Sequence, residues 1–169
     1  KMLCYGGDFN DHPNSGQFVF NGTILSDRTP EPGYFEVKHV YQNISTSLTD
    51  DGRISIFNKN FFTDLSPYDI TWTLTENGNV VAEGRLDTPP AGPREKIVVP
   101  IPDIPQLKNR KPGVEYALRI SYKLKKDRGW AKKGYELAFD QLQLPVQGDL
   151  PVFKAPAGKV SLSTDKHTV

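Results

Sequence analysis

Two acidic residues near the start of the chain, Asp8 and Asp11, come closest to the arrangement of a hydrolytic site. Paired-carboxylate hydrolysis needs two acids held a fixed distance apart across the bond that is cleaved. These two lie among glycine, asparagine and proline residues, where acids commonly form turns by bonding to their own backbone. We therefore interpret Asp8 and Asp11 as turn residues rather than as a catalytic pair.

The remaining reactive side chains form no catalytic or metal-binding pattern. His12, His39 and His167 are far apart, without the spacing of a metal site or a catalytic triad. Cys4 is the only cysteine, which excludes an internal disulfide and a cysteine-based metal cluster. The sequence also has no nucleophile elbow and no phosphate-binding glycine loop. We expect no catalytic residue in this chain.

The most basic stretch, residues 123–133, contains five lysines, one arginine and Trp130 around Gly129. A functional interpretation is an aromatic platform for a sugar or an anionic partner. The structural interpretation is a charged hairpin that keeps a sheet edge soluble, with Trp130 folded against the sheet. We favour the structural interpretation.

Charge and hydropathy exclude several classes of partner. Lysine and arginine number 21 against 20 acids, so the net charge of +1 creates no field that would attract nucleic acid or an anionic membrane. No stretch approaches the roughly 20 apolar residues of a membrane span. We expect no secretory context, because no positively charged stretch runs into an apolar signal region, so the glycosylation patterns Asn21-Gly22-Thr23 and Asn43-Ile44-Ser45 are interpreted as chance matches.

Apolar residues alternate with polar ones from about residue 40 to residue 146, which predicts antiparallel strands with one buried face. The pattern is clearest at residues 54–56, 70–74 and 118–124, and further strands are expected at 96–101 and 137–144. Asn77-Gly78 predicts a tight hairpin turn. We therefore predict a mainly β protein with an antiparallel, immunoglobulin-like or fibronectin-like β-sandwich over residues 33–146.

The segments on either side of the alternating region have different residue patterns. In residues 1–32, the apolar run Met2–Tyr5 ends in glycines, as in a strand buried on both faces of a parallel sheet whose neighbours lie elsewhere. Apolar residues spaced three and four apart after Pro32 predict a short helix, with a strand near Val37 as the alternative. Residues 147–169 are expected to be a linker and the first strand, Val160–Val169, of a further β domain. Both ends look cut, and we expect a longer parent protein.

Three sequence blocks resemble the end of the catalytic barrel in glycoside hydrolase family 2 β-galactosidases. They are Tyr5-Gly6-Gly7-Asp8-Phe9-Asn10-Asp11, Gln17-Phe18-Val19-Phe20-Asn21-Gly22 and Ser26-Asp27-Arg28-Thr29-Pro30-Glu31-Pro32. A fourth block, Glu36-Val37-Lys38-His39 before Val40-Tyr41-Gln42, is similar to the family's join between the barrel and the next sandwich domain. The chain departs from many relatives at Ser15-Gly16, where they carry a charged pair.

The resemblance implies that residues 1–32 are the C-terminal remnant of a (β/α)8 barrel, with Met2–Gly6 its last strand. The loop from Gly6 to Gly22 would line the galactose pocket, because barrel active sites lie at the carboxyl ends of the strands. By the same resemblance, the Phe18 carbonyl and the Asn21 side chain would help to bind sodium, and Asn21 would lie near the galactose hydroxyls. The two catalytic glutamates would belong to earlier barrel strands, so the isolated chain is expected to be inactive.

The resemblance also sets the expected partners and leaves alternatives open. It implies sodium and magnesium in the parent enzyme, β-galactoside sugars as ligands, the remaining domains of the same polypeptide as partners, and a parent that forms homo-oligomers. The compartment would be the bacterial cytoplasm or periplasm. The first alternative is a stand-alone carbohydrate- or protein-binding module with Trp130 as the contact residue, and the second is a purely structural adhesion domain.

Overall fold

The structure, a computed structural model, describes residues 4–18, 21–87 and 89–148, together with residues 152 and 158. Seven strands and two helices lie within these ranges. They are α1 (Pro32–Val40), β1 (Ile44–Leu48), β2 (Ile54–Asn58), β3 (Tyr68–Glu76), β4 (Asn79–Arg85), β5 (Lys96–Val99), α2 (Pro105–Lys108), β6 (Tyr116–Leu124) and β7 (Glu136–Gln143).

The strands form two antiparallel sheets, with the orders β1-β2-β5 and β4-β3-β6-β7. Seven strands in two packed sheets define a sandwich of the immunoglobulin type. In the constant-type immunoglobulin domain four strands form the first sheet and three the second. Here β4 pairs with β3 instead, which leaves three strands in the first sheet and four in the second. The predicted mainly β, antiparallel sandwich is confirmed.

The core lies between the two sheets and is built by the apolar positions of alternating strands. Its fully buried side chains include Ile44, Ile54, Ile56, Leu74, Leu118 and Ile120. A buried hydrogen bond of 2.6 Å joins Thr46 Oγ1 in β1 to the Tyr122 hydroxyl in β6, and so links one sheet to the other. Burial raises the pKa of the Tyr122 phenol, which keeps this hydroxyl neutral. Loop residues complete this core, among them Leu65, Leu86, Ala91, Ile104 and Leu144.

The β3–β4 hairpin has the tight turn that the sequence predicts. Glu76 pairs with Asn79, so the connection contains two residues. Asn77 and Gly78 have positive φ angles of 46° and 81°, which the right-handed twist of a two-residue hairpin requires.

Two strands differ from their predicted patterns. Strand β5 ends at Val99 rather than at residue 101, because Pro100 and Pro102 lack the backbone N–H that continues a ladder. Strand β6 is buried on both faces near its middle. Ser121 is only 4% exposed, although the alternating pattern predicts that its face of the strand contacts solvent. Ser121 lies between Thr71 of β3 and Phe139 of β7, since β6 is central in its sheet.

Helix α1 is confirmed as a helix, and the alternative of a strand near Val37 is wrong. Pro32 occupies its first turn, where a missing N–H removes no hydrogen bond. The helix contacts the sandwich through Lys38 and His39, whereas Val37 and Val40 remain 43% and 63% exposed. Its apolar stripe therefore does not enter the sandwich core.

The strand directions place α1 and three loops at one end of the sandwich, which we call the loop end. The loops are residues 59–67 between β2 and β3, 86–95 between β4 and β5, and 125–135 between β6 and β7. Hydrogen bonds of 2.9 Å from Lys59 N to Asn43 O and 3.0 Å from Lys125 N to Pro67 O join neighbouring parts of this end. The β1–β2 and β3–β4 turns lie at the opposite end.

Two predicted strands lie partly or wholly outside the described residues. Met2 and Leu3 of the predicted barrel strand lie outside the described residues, and Cys4 and Tyr5 have no strand pairing. The predicted strand Val160–Val169 also lies outside the described residues.

Candidate functional site

Asp8 and Asp11 form turns, as their sequence context predicts. Asp8 Oδ2 accepts a 2.9 Å hydrogen bond from the Tyr5 backbone N–H, and Asp11 Oδ1 accepts one of 3.1 Å from the Gly7 N–H. Both acids bond to backbone groups three or four residues earlier in the chain, which is the arrangement of acids that shape a loop.

The predicted sodium ligands lie further along the same segment. The Phe18 backbone N–H donates to the Ser15 carbonyl at 3.1 Å, and the Phe18 ring is 76% exposed. Asn21 is exposed as well. Residues 19 and 20 between them lie outside the described ranges.

The donor chemistry of Phe18 and Asn21 fits a hard monovalent cation, because a carbonyl and a side-chain amide both present neutral oxygens. Two oxygens do not complete a coordination shell, so further ligands would have to come from outside this pair. The residues that the structure describes contain no group of three or more His, Cys, Asp or Glu side chains able to hold a metal. Magnesium therefore has no such ligand group in the described ranges.

The segment that carries these residues is held together mainly by its own hydrogen bonds. Gly6 N–H donates to Gly16 O at 3.0 Å, and Glu31 N–H donates to Thr23 O at 3.0 Å. In the described part of residues 4–31, every hydrogen bond stays within the segment or joins it to the first turn of α1. The segment therefore meets the sandwich through α1.

Helix α1 is attached to the start of β7 by a polar and aromatic joint. Lys38 Nζ donates to the Glu136 carbonyl at 2.8 Å and lies 4.4 Å from the centre of the Tyr135 ring. The His39 ring lies 4.9 Å from the Phe139 ring, centre to centre. A cation over an aromatic face is attractive, and more so when partly desolvated. The joint fixes the last turn of α1 on the sandwich.

Asp140 organises the other half of this joint. Its carboxylate accepts hydrogen bonds of 2.6 Å from the Thr46 N–H and 3.1 Å from Gln42 Nε2, while Gln42 Oε1 accepts one of 3.0 Å from the Phe139 N–H. Burial raises the pKa of the Asp140 carboxyl, and these donors together with nearby His39 partly offset that rise. A half-buried carboxylate thus connects the residues after α1 to both β1 and β7.

A second polar cluster organises the loop end around Asn58, which is fully buried at the end of β2. Its Nδ2 lies 2.8, 3.1 and 2.9 Å from the carbonyls of Thr63, Ala91 and Gly92. Its Oδ1 accepts hydrogen bonds from the backbone and side-chain nitrogens of Asn60. One side chain therefore ties the loop after β2 to the loop before β5.

The aromatic residues of this loop point outward. Phe61 and Phe62 are 67% and 96% exposed. The Arg94 guanidinium lies 4.7 Å from the Phe61 ring centre and 5.1 Å from that of Phe57, and its Nη1 donates to Lys59 O at 3.0 Å. Arg94 thus braces the base of the loop while Phe62 remains uncovered by any described residue.

The basic hairpin was correctly predicted, but the predicted packing of Trp130 against the sheet is wrong. Trp130 is 65% exposed and contacts Tyr135 edge-on, with ring centres 5.6 Å apart. Asp127 holds the tip by accepting hydrogen bonds from the Lys133 N–H at 2.9 Å and from Lys132 Nζ at 2.8 Å. Trp130 lies in the loop between β6 and β7, outside the strand pairing, so its ring packs on Tyr135 and remains largely exposed.

Sequence reasoning missed the roles of Asn58, Gln42 and Asp140. Asn58 continues the buried alternation of Ile54 and Ile56, and a polar residue at the third such position is a signal of a satisfied buried group. Gln42 and Asp140 are hydrogen-bonded to each other although they are about a hundred positions apart in the chain, and no local pattern predicts that pairing.

Seven antiparallel strands in two packed sheets, joined through a helix to a turn-rich segment, define a β-sandwich domain with an N-terminal appendage. No helix among the described residues is long and apolar enough to cross a membrane. The family model for β-galactosidase domain 4 matches residues 54–145, and the model for the TIM barrel domain of glycosyl hydrolases family 2 matches residues 1–46. The first match covers more than half of the chain, so the chain belongs to the glycoside hydrolase family 2 β-galactosidases.

Individual relatives agree with this family. The chain is 35% identical to a β-galactosidase of Priestia megaterium over 100% of its own length and 16% of the relative. It is 37% identical to one of Halalkalibacterium halodurans over 83% of its length and 14% of the relative, and 34% identical to one of Clostridium acetobutylicum over 89% and 16%. The chain thus spans about one sixth of the length of these relatives.

Proposed function

We propose that this chain is a non-catalytic scaffold segment of a β-galactosidase that, as a whole polypeptide, hydrolyses terminal non-reducing β-D-galactosides. The observation that carries the proposal is the order of the two family matches along one continuous structure. The barrel match ends at residue 46 within β1, and the sandwich match covers residues 54–145. The segment thus spans a junction between two domains of such an enzyme.

In the parent enzyme, two carboxyl groups from other barrel strands would cleave the galactoside with retention, through a covalent glycosyl-enzyme intermediate. The loop from Gly6 to Gly22 would form part of the pocket wall. Its shape is supported by the hydrogen bonds that Asp8, Asp11 and Gly16 make within it. This segment would position groups around the sugar and would donate no proton and form no bond to it.

Asn21 and the Phe18 carbonyl would supply part of a sodium site beside the sugar. A bound sodium ion would offer a positive charge that orders galactose hydroxyls. The support for this assignment is the resemblance of the Gln17–Gly22 block and the oxygen donors that both residues present. Asn21 would also donate its amide N–H groups to sugar oxygens.

The sandwich would hold the barrel end in place relative to the rest of the polypeptide. Its core is closed by residues between Ile44 and Leu144, and the joint at Lys38, Gln42 and Asp140 attaches α1 to it. The joint is suited to positioning, because it combines partly buried hydrogen bonds with a contact between the His39 and Phe139 rings.

A galactoside hydrolysis assay tests the proposal on matched samples of the chain and of the longer polypeptide encoded by its gene. We expect sustained turnover from the longer polypeptide and none from the chain at equal molar concentration. Turnover by the chain itself would contradict a non-catalytic role. A coding sequence without a barrel upstream of Lys1 would contradict the assignment to a β-galactosidase.

A second candidate function, a sugar-binding module, is favoured by one observation. Phe61, Phe62 and Trp130 are exposed at the loop end, the same end that carries the antigen-binding loops in immunoglobulin variable domains. Calorimetric titration of the chain with galactosides and larger oligosaccharides distinguishes the two candidates. Heat that saturates at millimolar ligand and disappears in Trp130→Ala supports the module, whereas the scaffold function predicts no saturable heat.

A further inference from the structure

Exposed apolar side chains are distributed unevenly over the described part of the molecule. The large ones at the loop end and on α1 are Phe35, Val37, Val40, Tyr41, Phe61, Phe62, Trp130 and Tyr135, and four more lie in the N-terminal segment. Away from these regions, only Val80, Val98, Val146 and Val152 are comparably exposed among the described residues. An aromatic surface at one end of a domain marks a binding surface, because such groups are unfavourable in water.

Tyr41, directly after α1, and the aromatic residues of the β2–β3 loop lie at the same end of the sandwich. The hydrogen bond from Lys59 N to Asn43 O brings the two chain segments together, and both Tyr41 and Phe61 lie two residues from it. Tyr41 is 80% exposed and Phe62 is 96% exposed. We call Tyr41, Phe61, Phe62 and Trp130 the loop-end surface.

The loops beneath this surface are firmly held, so the exposure of its rings reflects ordered backbone. Asn58 ties the β2–β3 loop to the β4–β5 loop through three carbonyl contacts. Lys125 Nζ donates to Ser66 O at 2.7 Å, which links the basic hairpin to the same loop. Such pre-organisation reduces the entropy that is lost when a partner binds.

Charge adds a second feature to the same end. Residues 125–134 carry five basic side chains and one acidic one. Residues 4–31, which precede α1, carry four acidic side chains and one arginine. Opposite charges on two bodies joined by a short helix favour their close approach and set their orientation.

We propose that the loop-end surface is the docking surface for the catalytic barrel of the same polypeptide. The inference rests on the proposed function. The barrel family match ends at residue 46, so the barrel joins the sandwich through α1, next to Tyr41 and the Phe61–Phe62 loop. The relatives are about six times longer than this chain, which leaves ample polypeptide to form the occupant.

The chemistry of the surface fits an interface between domains of one chain. Such interfaces bury about 600–1,500 Å² and are more polar than the core of a permanent dimer. The loop end combines exposed aromatic rings, at Phe62 and Trp130, with lysines such as Lys126, and this mixture matches that composition. Docking of the barrel would also occupy the end at which a sugar-binding module would hold its ligand.

Cysteine labelling tests the docking in both the chain and the longer polypeptide. Phe62→Cys places a thiol on the surface, and Val80→Cys places one at the opposite end, where Val80 is 63% exposed. Peptide mass spectrometry after maleimide treatment gives a separate rate for each site. We expect both sites to react at similar rates in the chain, and the Phe62→Cys site to slow about tenfold or more in the longer polypeptide while the Val80→Cys site keeps its rate.

Several outcomes would overturn the docking proposal. Equal rates at both sites in the longer polypeptide would show that the surface stays open there. If the labelling rate at Phe62→Cys fell as the concentration of the chain alone was raised, the occupant would be a second copy of the chain. Saturable heat with an oligosaccharide, abolished in Trp130→Ala, would identify a sugar ligand instead. If the longer polypeptide hydrolyses galactosides but both sites react at equal rates, the docking inference is wrong while the proposed function stands.

Charge reversal gives an independent measurement that does not depend on the aromatic residues. In the longer polypeptide with Phe62→Cys, the pair Lys126→Glu and Lys133→Glu is expected to raise the labelling rate several-fold, because like charges would then face the acidic segment. The matched control Lys108→Glu changes an exposed lysine in α2 and is expected to leave the rate unchanged. Equal effects of the pair and of the control would contradict a specific interface.

Discussion

Asn58 joins two loops because its amide can donate and accept at the same time. Its two N–H groups serve three backbone carbonyls, and its oxygen accepts from two nitrogens of Asn60. No other side chain of the same size combines these functions, since a carboxylate cannot donate and a leucine can do neither.

We predict that Asn58→Asp destabilises the sandwich by about 3 kcal/mol or more at neutral pH, because a buried carboxylate would then face three carbonyl oxygens. Urea denaturation followed by tryptophan fluorescence measures the change. The control Asn109→Asp makes the same substitution at an exposed position and is expected to change stability by less than about 0.5 kcal/mol. Similar effects at both positions would contradict the role of Asn58.

The raised pKa of the Asp140 carboxyl predicts a distinct dependence of folding stability on pH. Burial holds the pKa of its carboxyl above the ordinary value of 3.8, so between 3.8 and that raised pKa the folded state binds the proton more tightly than the unfolded state. Stability contributed by this group is therefore present at low pH and is lost as the pH rises through this window.

We expect the free energy of unfolding of the unsubstituted chain, minus that of Asp140→Asn, to decrease as the pH rises from about 3 and to level off above the raised pKa. Denaturation curves at closely spaced pH values measure this difference. The matched variant Asp87→Asn removes an exposed carboxyl and should not reproduce the decrease. An increase with pH would show that the hydrogen bonds from Thr46 and Gln42 outweigh burial.

At the scale of elements, β3 and β4 are joined by an aromatic side chain that covers a glycine. Trp72 pairs with Gly84, and a Cβ at residue 84 would lie 2.6 Å from the Trp72 ring. The indole Nε1 donates to the Arg85 carbonyl at 3.0 Å, which fixes the ring in place. The glycine is thus required by close approach rather than by backbone angle.

We predict that Gly84→Ala destabilises the chain by about 1–3 kcal/mol, because the Trp72 ring must move and weaken its hydrogen bond. A shift in the emission of Trp72, observed in a Trp130→Phe background, would report the movement. The control Gly129→Ala adds the same methyl group in open space and is expected to have little effect. Unchanged stability and emission in Gly84→Ala would contradict the packing described here.

The elements that sequence predicted well are those that local chemistry determines. Asn77-Gly78, the threonine-rich alternation of β3 and the proline-led helix α1 each follow from residue types within a few positions. Strand β1 was not located individually, because Ile44–Leu48 is short and mostly polar. The site was predicted less well. Trp130 was expected to pack against the sheet but is exposed, and the Asn58 and Asp140 clusters depend on contacts between distant segments.

At the scale of the whole molecule, the sandwich is expected to fold without the N-terminal segment. Core residues start at Ile44 and end at Leu144, and the described hydrogen bonds of residues 4–31 stay within the segment or reach α1. We predict that removing residues 1–31 changes the free energy of unfolding by less than about 1 kcal/mol. Both tryptophans lie in the sandwich, so their fluorescence follows its unfolding directly.

A matched deletion tests the same statement from the other side. Removing residues 136–148 eliminates β7, which pairs with β6 from Ala117 to Lys123. We expect that variant not to give a cooperative transition. A large loss of stability on removal of residues 1–31 would show that the segment contributes to the fold.

The proposed sodium site gives a prediction for the longer polypeptide. Asn21→Ala removes an oxygen ligand and an amide beside the sugar, so we expect the sodium concentration for half-maximal activity to rise about tenfold or more, together with KM. The control Asn79→Ala changes an asparagine at the opposite end of the sandwich. An unchanged sodium dependence in Asn21→Ala would contradict its assignment as a ligand.

Strands β1 and β7 both begin at the loop end and run in the same direction, with Thr46 of the first bonded to Asp140 of the second. The polypeptide therefore enters the sandwich at one end and leaves it at the other. Eight residues at about 3.4 Å each make β7 roughly 27 Å long. The sandwich thus sets a fixed separation between whatever precedes α1 and whatever follows Leu144. Lengthening or shortening β7 would change that separation.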